Sequence, residues 1–104
     1  MKKLAFSALI GALAFSANSF AAGDAATGKT KAAICAACHG IDGVAISALY
    51  PNLKGQNAPY LEGAIKAYRD GQRTGGMAAQ MAPMAQGLSD QDIADLAAYF
   101  ESLK

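Results

Sequence analysis

Histidine and cysteine are scarce in this chain, with one His and two Cys among 104 residues. A cysteine pair is half of a structural zinc site and wants two more ligands, which a chain with no other cysteine and no other histidine does not provide. Charge is scarce as well. Charged residues make up 16% of the chain, 9 basic against 8 acidic, and neither sign gathers into a run. The basic footprint of a nucleic-acid binder and the charged tail of an interaction segment are both excluded. No pair of candidate strands is legible, so the βαβ context of a thioredoxin-like redox pair is missing too. No internal repeat is present.

Against that background one short stretch stands out, Cys35-Ala-Ala-Cys38-His39. C-x-x-C-H is the attachment run of c-type haem. Two thiols at that spacing near the end of a helical segment can each form a thioether with a haem vinyl group, and the following histidine is then held against the iron. The expected cofactor is therefore one covalent haem c, bound through Cys35 and Cys38 with His39 as an axial ligand.

The N-terminus has the pattern of a secretory leader. Lys2 and Lys3 form a positive start, Leu4 to Ala17 is apolar, and Ser19-Phe20-Ala21 offers small residues at the −3 and −1 positions of a cleavage site. The apolar run is short of the ~20 residues that span a bilayer. Residues 1–21 are thus expected to be a signal peptide and 22–104 the mature domain, exported to the periplasm. In that oxidising space two cysteines would pair unless haem consumed them. Losing Lys2 and Lys3 leaves 7 basic against 8 acidic residues. A single domain of this size buries a limited core, so the macrocycle is expected to supply missing apolar volume and the haem-free chain to fold poorly.

The rest reads as helices around irregular connections. Asp24 can cap a helix over about 25–36, in which Gly28 and Ala32 form a small-residue surface for close approach by another helix. Residues 40–55 are loop by composition. A second helix has Pro59 near its start, Leu61, Ala64, Ile65 and Tyr68 at helical spacing, and Gly71 just beyond its end. Residues 71–87, rich in glycine and methionine, read as irregular. Ser89 caps a third helix, with Asp92 in the capping-box position and Ile93, Leu96, Ala97, Phe100 and Leu103 as its buried stripe.

In this order, and with Tyr50-Pro51-Asn52-Leu53-Lys54-Gly55-Gln56 and the terminal run from Leu88 to Phe100, the chain resembles the class I c-type cytochromes. Within them it is most similar to the bacterial periplasmic c-four and c-five branch. The resemblance implies an all-α fold of about three main helices around one covalent haem. One attachment motif implies one haem. Met77, Met81 and Met84 are the methionines that could complete the iron's coordination, although each could equally be core filler. The family pattern places the ligand at the first Met of Met81-Ala82-Pro83-Met84, which implies Met81, with Met84 as the alternative. It also assigns the backbone carbonyl of Pro51 as the acceptor that orients His39. Lys54, Gln56, Asn57, Arg69 and Arg73 are possible donors to the haem propionates.

The resemblance implies a single-electron carrier rather than an enzyme, working between membrane redox complexes such as a quinol–cytochrome c oxidoreductase and a terminal oxidase. One alternative is the haem subunit of a dehydrogenase, such as a sulfide-oxidising flavocytochrome. Another is a peroxidase or gas sensor with an open iron position. Against that last reading stands the lack of a second histidine or an Arg/His pair to furnish a distal pocket.

Overall fold

A computed structural model describes residues 22–104; the leader assigned to 1–21 lies outside the described residues. Five helices follow in order, α1 (Ala25–Lys31), α2 (Ala33–His39), α3 (Ala58–Arg69), α4 (Ala78–Ala85) and α5 (Asp90–Glu101), and the described residues hold no strand. The expected all-α architecture is what is found, with five helices where about three main ones were expected.

The helix ends follow the local chemistry. The Asp24 carboxylate accepts from the Thr27 N–H at 3.0 Å, satisfying a donor that the first turn of α1 leaves open. At the start of α5 the Ser89 hydroxyl accepts from Asp92 N and the Asp92 carboxylate accepts from Ser89 N, a reciprocal capping box. Pro59 sits in the first turn of α3 where its missing N–H costs nothing, and Gly71 takes φ +75° just past the helix end.

Two expectations need correction. The helix over 25–36 is not continuous: it breaks at Ala32 and resumes as α2 to His39. Ala32 has ψ −4°, and its N–H is shared between Gly28 O at 2.8 Å and Lys29 O at 3.3 Å. No helix breaker marks the position. Ala32 is fully buried, and beyond the bend α2 brings Cys35 against the core cluster to which α5 contributes. The second correction is α4, which forms within the 71–87 stretch read as irregular. Pro83 inside it hid the helix, since an interior proline removes one hydrogen bond and crowds the carbonyl four residues back. Here it falls near the end of an alanine-rich turn packed on α3, where little helix remains to disrupt.

The core is the crossing of α1 and α5 with α3 laid across it. Ala32, Leu61, Leu96, Ala97, Tyr99 and Phe100 form one buried cluster, with Cys35, Leu53 and Leu88 packed against it. Gly28 lies where α1 meets α5. A Cβ built there would stand 1.9 Å from the Asp95 carbonyl oxygen and 2.9 Å from Tyr99 Cβ, so only glycine permits this approach. The close helix approach expected at the Gly28 and Ala32 surface is thus present, and the approaching helix is α5. The Tyr99 hydroxyl donates to Ile41 O, tying α5 to the loop that follows α2.

One buried charge lies in this crossing and was not foreseen. Asp95, 3% exposed, accepts from Asp24 N at 2.9 Å, Gln91 Nε2 at 3.0 Å and Lys31 Nζ at 2.7 Å. Lys31 also reaches Asp92 at 2.7 Å. The Lys31 ammonium, with the Asp24 N–H, holds the Asp95 carboxyl below its usual 3.8, while Asp92 and Asp95 together push Lys31 above its usual 10.5. A carboxyl lowered in the native state adds stability above its unfolded pKa and loses it as pH falls through the native one. A raised lysine adds stability below its unfolded pKa and loses it as pH climbs past the native one. Asp95→Asn should therefore lower the urea midpoint across neutral pH, and its deficit should shrink on going from pH 5 toward pH 3. A deficit that stays constant through that acid range would show that the charge is not what matters.

Candidate functional site

α2 carries the attachment run on its last turns, and the chain then has to fold back over it. Gly40, at φ +82°, makes that reversal; a Cβ there would lie 2.0 Å from Val44 O. Leu53 and Lys54 both donate to Gly43 O, closing the loop so that Pro51 comes beside His39. The result is a crevice of about 660 Å3, within the range of cofactor sites. Cys35, Cys38 and His39 line it from α2, Leu61 and Ile65 from α3, Met81 and Met84 from α4, and Leu96 and Phe100 from α5.

His39 is buried, and its Nδ1 lies 2.8 Å from Pro51 O. A carbonyl oxygen can only accept, so Nδ1–H donates and Nε2 is left with its lone pair, the form in which imidazole binds a metal. The Tyr50 ring meets the imidazole edge-on at 6.3 Å between centroids. Burial, with Cys38 nearby, pushes the Cys35 thiol up. A low-pKa nucleophilic thiolate of the thioredoxin kind is not what this environment makes. Among the described residues no three His, Cys, Asp or Glu side chains are grouped so as to hold a metal ion.

The residues singled out for haem attachment and iron coordination, with Pro51, all lie on this one crevice: Cys35, Cys38, His39, Pro51, Met81 and Met84, together with Met77. Met77 is 46% and Met84 52% exposed, whereas Met81 is half-buried and the most withdrawn of the three. The candidate propionate donors separate. Gln56 and Arg73 line the crevice and Lys54 and Asn57 do not. Arg69 is spent on Asp70, Asp90 and Leu88 O. Asn52, Tyr60 and Gln80 also line it and were not foreseen. Gln80 was hidden with α4; Asn52 adjoins Pro51 and was within reach of the same reasoning.

A haem fits this donor set. The macrocycle needs a dry slot, two thiols at one edge, a nitrogen ligand whose other nitrogen is engaged, and a soft sixth ligand from another wall. Each is present in residues of this chain.

The comparisons with known proteins agree. The cytochrome c family model matches residues 25–104. Cytochrome c-554(548) of Halomonas halodenitrificans is 67% identical over 81 residues, covering 78% of this chain and 98% of its own. The crystal structure of reduced recombinant cytochrome c4 from Pseudomonas stutzeri superposes with a TM-score of 0.71 at 42% identity, over 80% of this chain and 47% of that one, so the chain spans about half that cytochrome's length. A thiosulfate dehydrogenase from Marichromatium purpuratum matches with a TM-score of 0.70 at 34% identity, over 88% of this chain and 22% of that one. The chain belongs to the cytochrome c family, as a class I single-haem member that carries covalent haem c and serves as an electron carrier.

Proposed function

We propose that this chain is a periplasmic single-electron carrier whose haem is attached at Cys35 and Cys38 and whose iron is held between His39 and Met81. The observation that carries the ligation is the 2.8 Å hydrogen bond from His39 Nδ1 to Pro51 O, which leaves Nε2 for iron. Bound haem supplies a one-electron ferric/ferrous couple, and thioether ligation favours the ferrous side. Proline stiffens the segment that presents the orienting carbonyl, because its φ is fixed. Leu61, Leu96 and Phe100 keep water from the inner face, and the half-buried Met81 is supported by α4 lying on α3. With His39 and Met81 both engaged by iron, the chain would leave no place for a substrate there, which favours a carrier over a peroxidase or gas sensor. Residues 1–21 act as the leader, removed after about Ala21.

Docking occurs at the haem edge, over the surface formed by residues 77–87 and the Ala36–Ala37 side of the attachment run. Ala37, Met77, Ala79 and Met84 are exposed there, and this surface carries no acidic or basic side chain. A small apolar patch of this kind suits brief, weak encounters. The partners are membrane redox complexes, a quinol–cytochrome c oxidoreductase as donor and a terminal oxidase as acceptor. A dehydrogenase as partner is the second reading, favoured by the likeness to a thiosulfate dehydrogenase chain. Stopped-flow reoxidation by a membrane oxidase fraction should be fast and fall only about twofold between low and physiological salt, because few charges steer the encounter. A fall of tenfold or more would mean a charged docking surface elsewhere.

A further inference from the structure

Little apolar surface holds α4 to the fold. Its buried side chains are Ala78 and Ala85, while its two large ones, Met81 and Met84, line the crevice. Two alanine methyls gain little from burial, because stabilisation follows the apolar area removed from water. Polar ties at the end of α4 supplement them. The Gln86 side chain, at the C-cap of α4, donates from Nε2 to Arg69 O at 2.9 Å. The Arg69 guanidinium reaches in turn to the start of α5, where Nη1 donates to Leu88 O at 3.1 Å and to Asp90 Oδ1 at 2.8 Å. Its Nε donates to Asp70 Oδ1 at 2.9 Å, which fixes the plane of the fork. The Arg69 side chain is 20% exposed, so this is more than a solvent-screened surface pair.

The other end of the same segment is also tied to the last turn of α3. Gln72 and Arg73 donate their N–H groups to Ala67 O, at 2.8 and 3.1 Å. Residues 74–85, which carry Met81, are therefore bracketed between Ala67 on one side and Arg69 on the other.

A thioether leaves a metal when the chain beneath it swings away, and that motion of α4 has to break the ties at its end. We infer that Arg69 is a positioning residue for the Met81 ligand: by closing the chain from Gln86 to Asp90 onto the end of α3, it holds the sulfur in the crevice and slows its departure from iron. This rests on ligation by Met81. Arg69 does not line the crevice and acts only through α4 and the turn beyond it. A lysine there would supply one point charge, which cannot hold Asp70, Asp90 and Leu88 O together as the planar fork does.

The test is competition by imidazole at the ferric iron of the haem-loaded protein, followed by stopped-flow loss of the red charge-transfer band. At saturating imidazole the rate reaches a limit set by departure of the Met81 sulfur. Gln86→Met, which removes one donor at an exposed position, should raise that limit about threefold, and Arg69→Gln, which breaks several ties, about tenfold. Arg69→Lys should stay closer to Arg69→Gln than to the native protein. Asp95→Asn is the control for general destabilisation: it should lower the urea midpoint through the α1–α5 crossing and leave the limiting rate unchanged. If Arg69→Gln does not load haem, Gln86→Met carries the test. A native limiting rate in Gln86→Met and Arg69→Gln, or equal acceleration by Asp95→Asn, would overturn the positioning role. A native protein without the red band, or one whose rate climbs with imidazole without limit, would instead remove the Met81 ligation on which it rests.

Discussion

Met81→Ala should abolish the red charge-transfer band of the ferric protein and open the ferrous iron to carbon monoxide. That band reports a methionine sulfur on ferric haem, which no other residue type lining the crevice reproduces. Met84→Ala should leave both properties nearly unchanged, because Met84, on the same helix, is 52% exposed and is expected to pack at the haem edge. The contrast between the two variants matters more than either alone, since both remove the same thioether from the same wall. The reverse outcome would move the ligand to Met84, one turn further along α4 and beyond Pro83.

Gly28→Ala should be destabilising even though alanine is the better helix former. The propensity gain from glycine to alanine in a helix is about 1 kcal/mol. Against it stands a Cβ 1.9 Å from the Asp95 carbonyl oxygen, a backbone atom that no rotamer change can move aside. Overpacking of this kind costs roughly 3 kcal/mol or more, so the net loss is about 2 kcal/mol and the thermal midpoint of a domain this size should fall by roughly 8–16 °C. Gly28→Val should be worse. Gly63→Ala is the matched control: the site is within α3, nothing lies within 4 Å of the new Cβ, and only the propensity gain remains. Gly63→Ala should raise the midpoint. Equal effects at the two glycines would contradict the close crossing of α1 and α5.

What the sequence revealed and what it hid have physical causes. The caps at Asp24 and Ser89, the proline entry of α3 and the apolar stripe of α5 are local signals, read within one turn of chain, and the structure contains them, except that α5 ends at Glu101 and Leu103 packs half-buried on the core from the turn beyond it. The attachment run was legible because its chemistry demands a fixed spacing. The bend at Ala32 was not, because alanine is a strong helix former and the break is imposed by burial against α5. Pro83 worked the other way, a local signal against helix that tertiary packing overrode. The Lys31–Asp95 pair joins residues 64 positions apart, beyond any local pattern. The pairing of His39 with Pro51 O could be expected only from the family resemblance, since nothing in the spacing of 12 residues requires it.

Six-coordinate iron is what separates a carrier from an enzyme in this crevice. The most direct measurement is the visible spectrum of the unmutated, haem-loaded protein, oxidised and then reduced, with and without carbon monoxide. The expected result is a ferric spectrum carrying the red charge-transfer band and a ferrous spectrum that carbon monoxide does not change at neutral pH. A ferrous spectrum that shifts at once on adding carbon monoxide, with no such ferric band, would show an open iron position and contradict the assignment of His39 and Met81 as its two ligands.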